Sequence, residues 1–173
     1  LENNDFSQLD FVHRTFNALD LEFFFKALRN IYLNKGGLEQ VFDKNLDSKN
    51  SILSFRKAML DTQHLERSEK HLANPAKGSS AKRMNMFLRW MVRSDKKGVD
   101  FGIWKEHSSS KLYVPLDVHT GISARKLGLI SRKQNDWKAL EELMQHLKSF
   151  CPEDPCKYDF ALFGMSANND LDF

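Results

Sequence analysis

The sequence predicts an all-α fold, and three observations carry that expectation. Apolar residues recur at helical spacing through most of the 173 residues, start and stop signals bracket those runs, and no sustained strand alternation appears. The stretch "LDLEFFFKALRNIYLNKGG" reads as a helix with Asp20 as candidate N-cap, Phe23, Phe24 and Phe25 as core, and Gly36-Gly37 as the stop. A short helix over "GLEQVF" follows, then a long one over "NSILSFRKAMLDTQHLERSE" capped by Asn50 or Ser51. Residues 73–80, "ANPAKGSS", have the Pro, Gly and Ser content of a loop. The helix "AKRMNMFLRWMVRSD" comes next and runs into the irregular "KKGVDFGIWKEHSSSKLYVPL", with extended pieces expected near 99–104 and 111–114. Three more helices are expected at 118–129, 135–149 and 154–164.

Length fits one domain over residues 1–173, with a helical part over 1–72 and the remaining helices over 73–173. A hydrophobic content of 41% is ordinary, and no apolar run approaches membrane-spanning length, so a cytoplasmic protein with no membrane partner is expected. The first residue is Leu1 and not Met, so an upstream segment is expected to precede it. Cys151 and Cys156 bracket "CPEDPC"; two thiols cannot complete a four-ligand zinc or iron–sulfur site, and they read as reduced and structural. No metal and no cofactor is expected. A net charge of +3 permits an anionic partner without requiring one.

On residues 82–95, Met84, Phe87, Leu88, Met91 and Val92 form one buried stripe. The opposite face gathers Lys82, Met86, Arg89 and Arg93. A solvated basic face accounts for the arginines, but Met86 fits it badly, and a flat apolar contact among cations suits a nucleobase with its phosphates. The preceding "PAKGSS" leads into a helix N-terminus, where backbone N–H groups and the helix dipole favour an anion.

Read together, "GSSAKRMNMFL", "VPLDVH" and "YDFALFG", in that order, resemble the helix-hairpin-helix DNA glycosylases, the superfamily of endonuclease III and the 8-oxoguanine glycosylases. With "HRTF", "KRMNMFLRWMVR", "PLDVHTG" and "KYDFALFG", the pattern looks closest to a bacterial family of conserved proteins within or beside that superfamily. The likeness spans roughly residues 10–165. Ser80 stands where the hairpin usually has its second Gly, the four-cysteine cluster loop is missing, and the usual N-terminal helices are not clearly present.

The resemblance implies a helical glycosylase fold and gives residues their roles. Lys82 becomes the nucleophile and Asp117 its partner on a flipped-out nucleotide. An amine that attacks the sugar C1′ displaces the base and forms a Schiff base, and a nearby carboxylate stabilises the cationic sugar. That amine must be neutral, a state that a desolvating pocket favours and Asp117 opposes. The plain alternative for Asp117 is the N-cap of helix 118–129. His119 matches a phosphate-contacting histidine; its alternative is a solvent-facing first-turn residue. Met86, Asp159 and Phe163 match a base pocket, with Tyr158, Ala161 and Leu162 packing inward; the alternative makes Phe163 core and Asp159 a first-turn helix acid. DNA-backbone contacts are expected from Lys77, Gly78, Ser79, Ser80, Arg89 and Arg93. The expected partner is double-stranded DNA containing a damaged base, bound by a nucleoid-associated monomer. A non-catalytic helix-hairpin-helix DNA-binding module and a helical protein-interaction domain are the competing functions.

Overall fold

Helix α1, Ala18–Asn34, starts where Asn17 adopts an extended backbone and its side chain accepts from the Asp20 N–H. Asp20 returns the contact to the Asn17 N–H, so it closes a capping box and is not itself the cap. Its buried carboxylate also takes Ser68 Oγ at 2.6 Å and Arg67 Nη1 at 3.0 Å. The computed structural model describes residues 10–95 and 98–168. Ahead of α1 lies a short antiparallel hairpin, β1 (Val12–His13) with β2 (Phe16–Asn17), which periodicity did not foreshadow.

Helix α2 spans Leu38–Phe42 and α3 spans Ser48–Leu60. Asp47 caps α3 by accepting from the Asn50 N–H, ahead of both expected caps, Asn50 and Ser51. The expected tail of this helix, "TQHLERSE", instead breaks into a turn and a 3₁₀ segment over Glu66–His71. Of the three phenylalanines, Phe23 is buried, Phe24 half-buried and Phe25 exposed. Successive residues on a helix point about 100° apart, so three in a row cannot all face the core.

A 3₁₀ turn over Pro75–Lys77 leads to α4, Lys82–Val92, which is shorter than the sequence pattern. Residues 99–104 contribute one isolated bridge, Ser94 to Phe101, and 111–114 form no strand. Helix α5 spans Val118–Lys126, α6 Trp137–Phe150, and α7 Asp159–Ala167 after a 3₁₀ turn over Pro155–Tyr158. Leu162 packs inward and Tyr158 partly so, but Ala161 is exposed. The core is one continuous cluster running from Phe23 to Leu162, with Phe42 stacked on Phe55 at 4.9 Å and Tyr113 on Trp137 at 5.4 Å. Cys151 and Cys156 are free thiols, and burial pushes the Cys156 thiol up. The all-α class holds, and no helix among the described residues is long and apolar enough to cross a membrane.

Candidate active site

Two helix starts make the site. Lys82 is the first residue of α4, which begins without a side-chain cap because the cap position is Ala81, whose methyl cannot accept a hydrogen bond; Ala81 is also left-handed (φ 48). Asp117 is extended and caps α5, its Oδ1 accepting from the Thr120 N–H at 2.8 Å. Its other oxygen, Oδ2, faces Lys82 Nζ at 3.2 Å. Capping and pairing with Lys82 therefore occupy different oxygens of one carboxylate. Burial by itself pushes the Asp117 carboxyl up, but the Thr120 N–H and the Lys82 ammonium outweigh it and hold the pKa below the ordinary value. Asp117 is therefore charged at neutral pH.

Helix α7 packs against α5 and completes the wall. A cleft of about 260 Å³ is lined by Lys82, Met86, Asp117, Asp159 and Phe163, together with Arg89, Pro115, Thr120 and Phe160. The first five came from three separate stretches of sequence. Phe163 is 41% exposed, so it is not core. His119 lies edge-on to the Phe163 ring at 5.3 Å, and its Nδ1 is hydrogen-bonded to Ser166 Oγ at 3.3 Å. Phe160 was missed by sequence reasoning; its spacing of three from Phe163 on α7 is the signal that would have found it.

Asp159 is buried and accepts from Arg89 Nη1. Burial raises its carboxyl to about 6, with the Arg89 cation opposing the shift and the charges of Asp117 and Asp100 adding to it. One cleft thus holds two carboxyls pushed in opposite directions, a division that functional sites use to separate roles.

The two arginines assigned to the DNA backbone are not on a solvated face. Arg89 is 4% exposed; its Nε reaches Asp100 Oδ1 at 3.1 Å, and its guanidinium lies 4.6 Å over the Phe160 ring. Arg93 reaches both oxygens of Asp154, at 3.0 and 2.9 Å, and Asp100 Oδ2 at 2.9 Å. Carboxylates draw these side chains into ion pairs within the protein, leaving the Arg89 side chain 5% and the Arg93 side chain 15% exposed.

The loop over residues 74–81 departs from an anion nest as well. The N–H groups of Lys77, Gly78 and Ser79 turn inward onto Asn74 O, Pro75 O and Asn74 O at 3.1, 3.0 and 3.2 Å. Ala81 N–H points at Ser79 Oγ at 3.2 Å, and Ser80 O accepts from the buried Asn85 Nδ2 at 3.0 Å. Gly78 is left-handed at φ 90, but Ser80, in place of a second Gly, is not; the second left-handed position falls on Ala81. What this loop offers an anion is the exposed Lys77 side chain and the Ser79 hydroxyl. Among the described residues no group of His, Cys, Asp and Glu is arranged to hold a metal ion.

No curated protein and no solved structure matches the chain. The family described as "Protein of unknown function (DUF2400)" matches residues 2–168, nearly the whole chain. The chain belongs to that family.

Proposed function

We propose that this protein is a DNA repair glycosylase with lyase activity, acting on a damaged purine such as 8-oxoguanine in duplex DNA. The observation that carries the reading is the cleft itself: a primary amine and an ionised carboxylate 3.2 Å apart, in a recess walled by Met86, Phe160 and Phe163. An amine–carboxylate pair alone is an ordinary surface contact; set in an apolar recess of about 260 Å³, it suits an extruded nucleotide.

The chemistry follows from these groups. Lys82 Nζ gives up a proton to solvent and its lone pair bonds to C1′ as the C1′–N bond of the nucleotide breaks, the base leaving with the bonding pair and taking up a proton. Transfer of an Nζ proton to the ring oxygen then opens the sugar and gives a protonated Schiff base. The depressed Asp117 suits a fixed negative charge beside the cationic sugar and makes it a poor proton acceptor. Met86 and Phe163 stack on the base, and Asp159 accepts from its N–H groups. The phosphates flanking the lesion meet Lys77, Ser79 and His119.

Incubation with lesion-bearing duplexes and borohydride tests the reading, because reduction of the Schiff base leaves a stable covalent adduct. A panel of damaged purines should give a trapped complex, and a panel with no adduct overturns the reading. Duplex affinity should fall steeply with salt, at about 0.9 log units per neutralised phosphate for each tenfold in salt; a flat response would favour a protein-interaction domain.

Asp159 gives a pH signature. Its folded pKa is raised, so its contribution to stability is present below the ordinary carboxyl value and is lost as pH rises through about 6. Base recognition runs the other way, since the ionised form is the better acceptor. Affinity for lesion duplex over undamaged duplex should rise as pH passes about 6 and lose that rise in Asp159→Asn; an unchanged profile in the variant would remove Asp159 from the base contact.

A further inference from the structure

Lys82 and Asp117 come from different elements, so something must set the distance between them. One short segment, residues 132–137, touches both. On the amine side, Asp136 bridges Ser79 in antiparallel fashion, and the Trp137 N–H donates to the Gly78 carbonyl at 2.9 Å. The hairpin so held runs directly into α4 at Lys82. On the acid side, Asn135 Nδ2 donates to the Asp117 carbonyl oxygen at 2.9 Å, the same oxygen that accepts the Gly121 N–H at 2.9 Å.

The Asn135 amide is itself fixed. Its Oδ1 accepts from Arg125 Nη2 at 2.6 Å, and Arg125 Nε donates to the Arg132 carbonyl at 2.8 Å. Gly121 makes the seat. It lies inside α5 with no unusual φ, where Gly costs about 1 kcal/mol against Ala, so its conformational freedom is not the reason for it. A Cβ there would sit 2.6 Å from Asn135 Oδ1, 2.9 Å from Nδ2 and 2.7 Å from Arg125 Nη1. The missing methyl leaves the space that the amide fills.

We propose that Asn135 is a positioning residue: seated on Gly121 and oriented by Arg125, it ties the Asp117 backbone to the segment that holds the hairpin, and so sets the acid against Lys82. The catalytic meaning of the clamp rests on the glycosylase reading; its geometric meaning does not.

Two measurements separate them. Asn135→Ala removes the amide, and Gly121→Ala displaces it while improving helix propensity, with no change of charge in either. On lesion duplex, the single-turnover trapping rate should fall on the order of 10- to 100-fold in both variants while duplex affinity is unchanged, because misplacement of the reacting pair harms the chemical step. Without DNA, the NMR titration of the Asp117 carboxyl should move upward in both, as Thr120 N–H and Lys82 lose their aim. A folded Asn135→Ala with wild-type trapping and an unmoved Asp117 titration overturns the proposal. If the wild-type protein traps nothing, the glycosylase reading fails, yet the titration still decides the clamp: an upward shift upholds it and no shift overturns it. Should Asn135→Ala not fold, Gly121→Ala is judged by the same readouts.

Discussion

Lys82→Gln should leave the protein folded and abolish borohydride trapping on every lesion duplex. The side chain is 46% exposed and pairs with Asp117 near the surface, so its removal costs little stability. The amide, on a side chain one atom shorter, keeps polarity but has no lone pair able to form an imine. Loss of trapping is therefore loss of the bond-forming atom and not of the fold, which an unchanged thermal midpoint would establish. Asp117→Asn separates the partner's two jobs. The amide oxygen still accepts from the Thr120 N–H, so the cap of α5 survives. The negative charge beside the developing cationic sugar is gone, and base removal should slow by about 100-fold or more. Trapping undiminished in Lys82→Gln, or wild-type base removal in Asp117→Asn, would end the assignment of that residue.

Arg89→Met should destabilise the protein by about 3–5 kcal/mol, read as a lower urea midpoint at constant slope. The side chain is 5% exposed and its carboxylate partners, Asp100 and Asp159, are 0% and 8% exposed. Methionine fills much of the arginine stem's space but leaves Asp159 buried without the Arg89 cation, while Asp100 keeps its contact with Arg93. The loss should shrink on acidification, because Asp159, already raised to about 6, escapes its penalty by taking up a proton. Removing Lys44 from its exposed pair with Glu106 provides the contrast, with an expected change below about 1 kcal/mol. A small loss in Arg89→Met would mean that water reaches this network from the cleft.

Lys82 and Arg89, on one helix, mark two different outcomes of reading a sequence. The resemblance singled out Lys82, Met86, Asp117, Asp159 and Phe163, and the structure brings all five to one cleft; what the sequence itself showed is that Lys82 and Met86, and Asp159 and Phe163, are four apart and so share a helix face. The caps were less legible. Asn17 and Asp47 were passed over for Asp20, Asn50 and Ser51, because several capping residue types crowd each helix start and only backbone geometry chooses among them.

Arg89 and Arg93 were illegible for a different reason. Their carboxylate partners stand 11 and 70 positions away for Arg89, and 2, 7 and 61 for Arg93. A helical wheel has no place for such partners, so two cations opposite the apolar stripe look like surface. By itself the sequence determined which faces are apolar, where most helices run, and which residue types could do chemistry. Only the tertiary structure decided which charges are spent on one another inside and which are left for a ligand, because an ion pair depends on distances that the chain sets by folding back on itself.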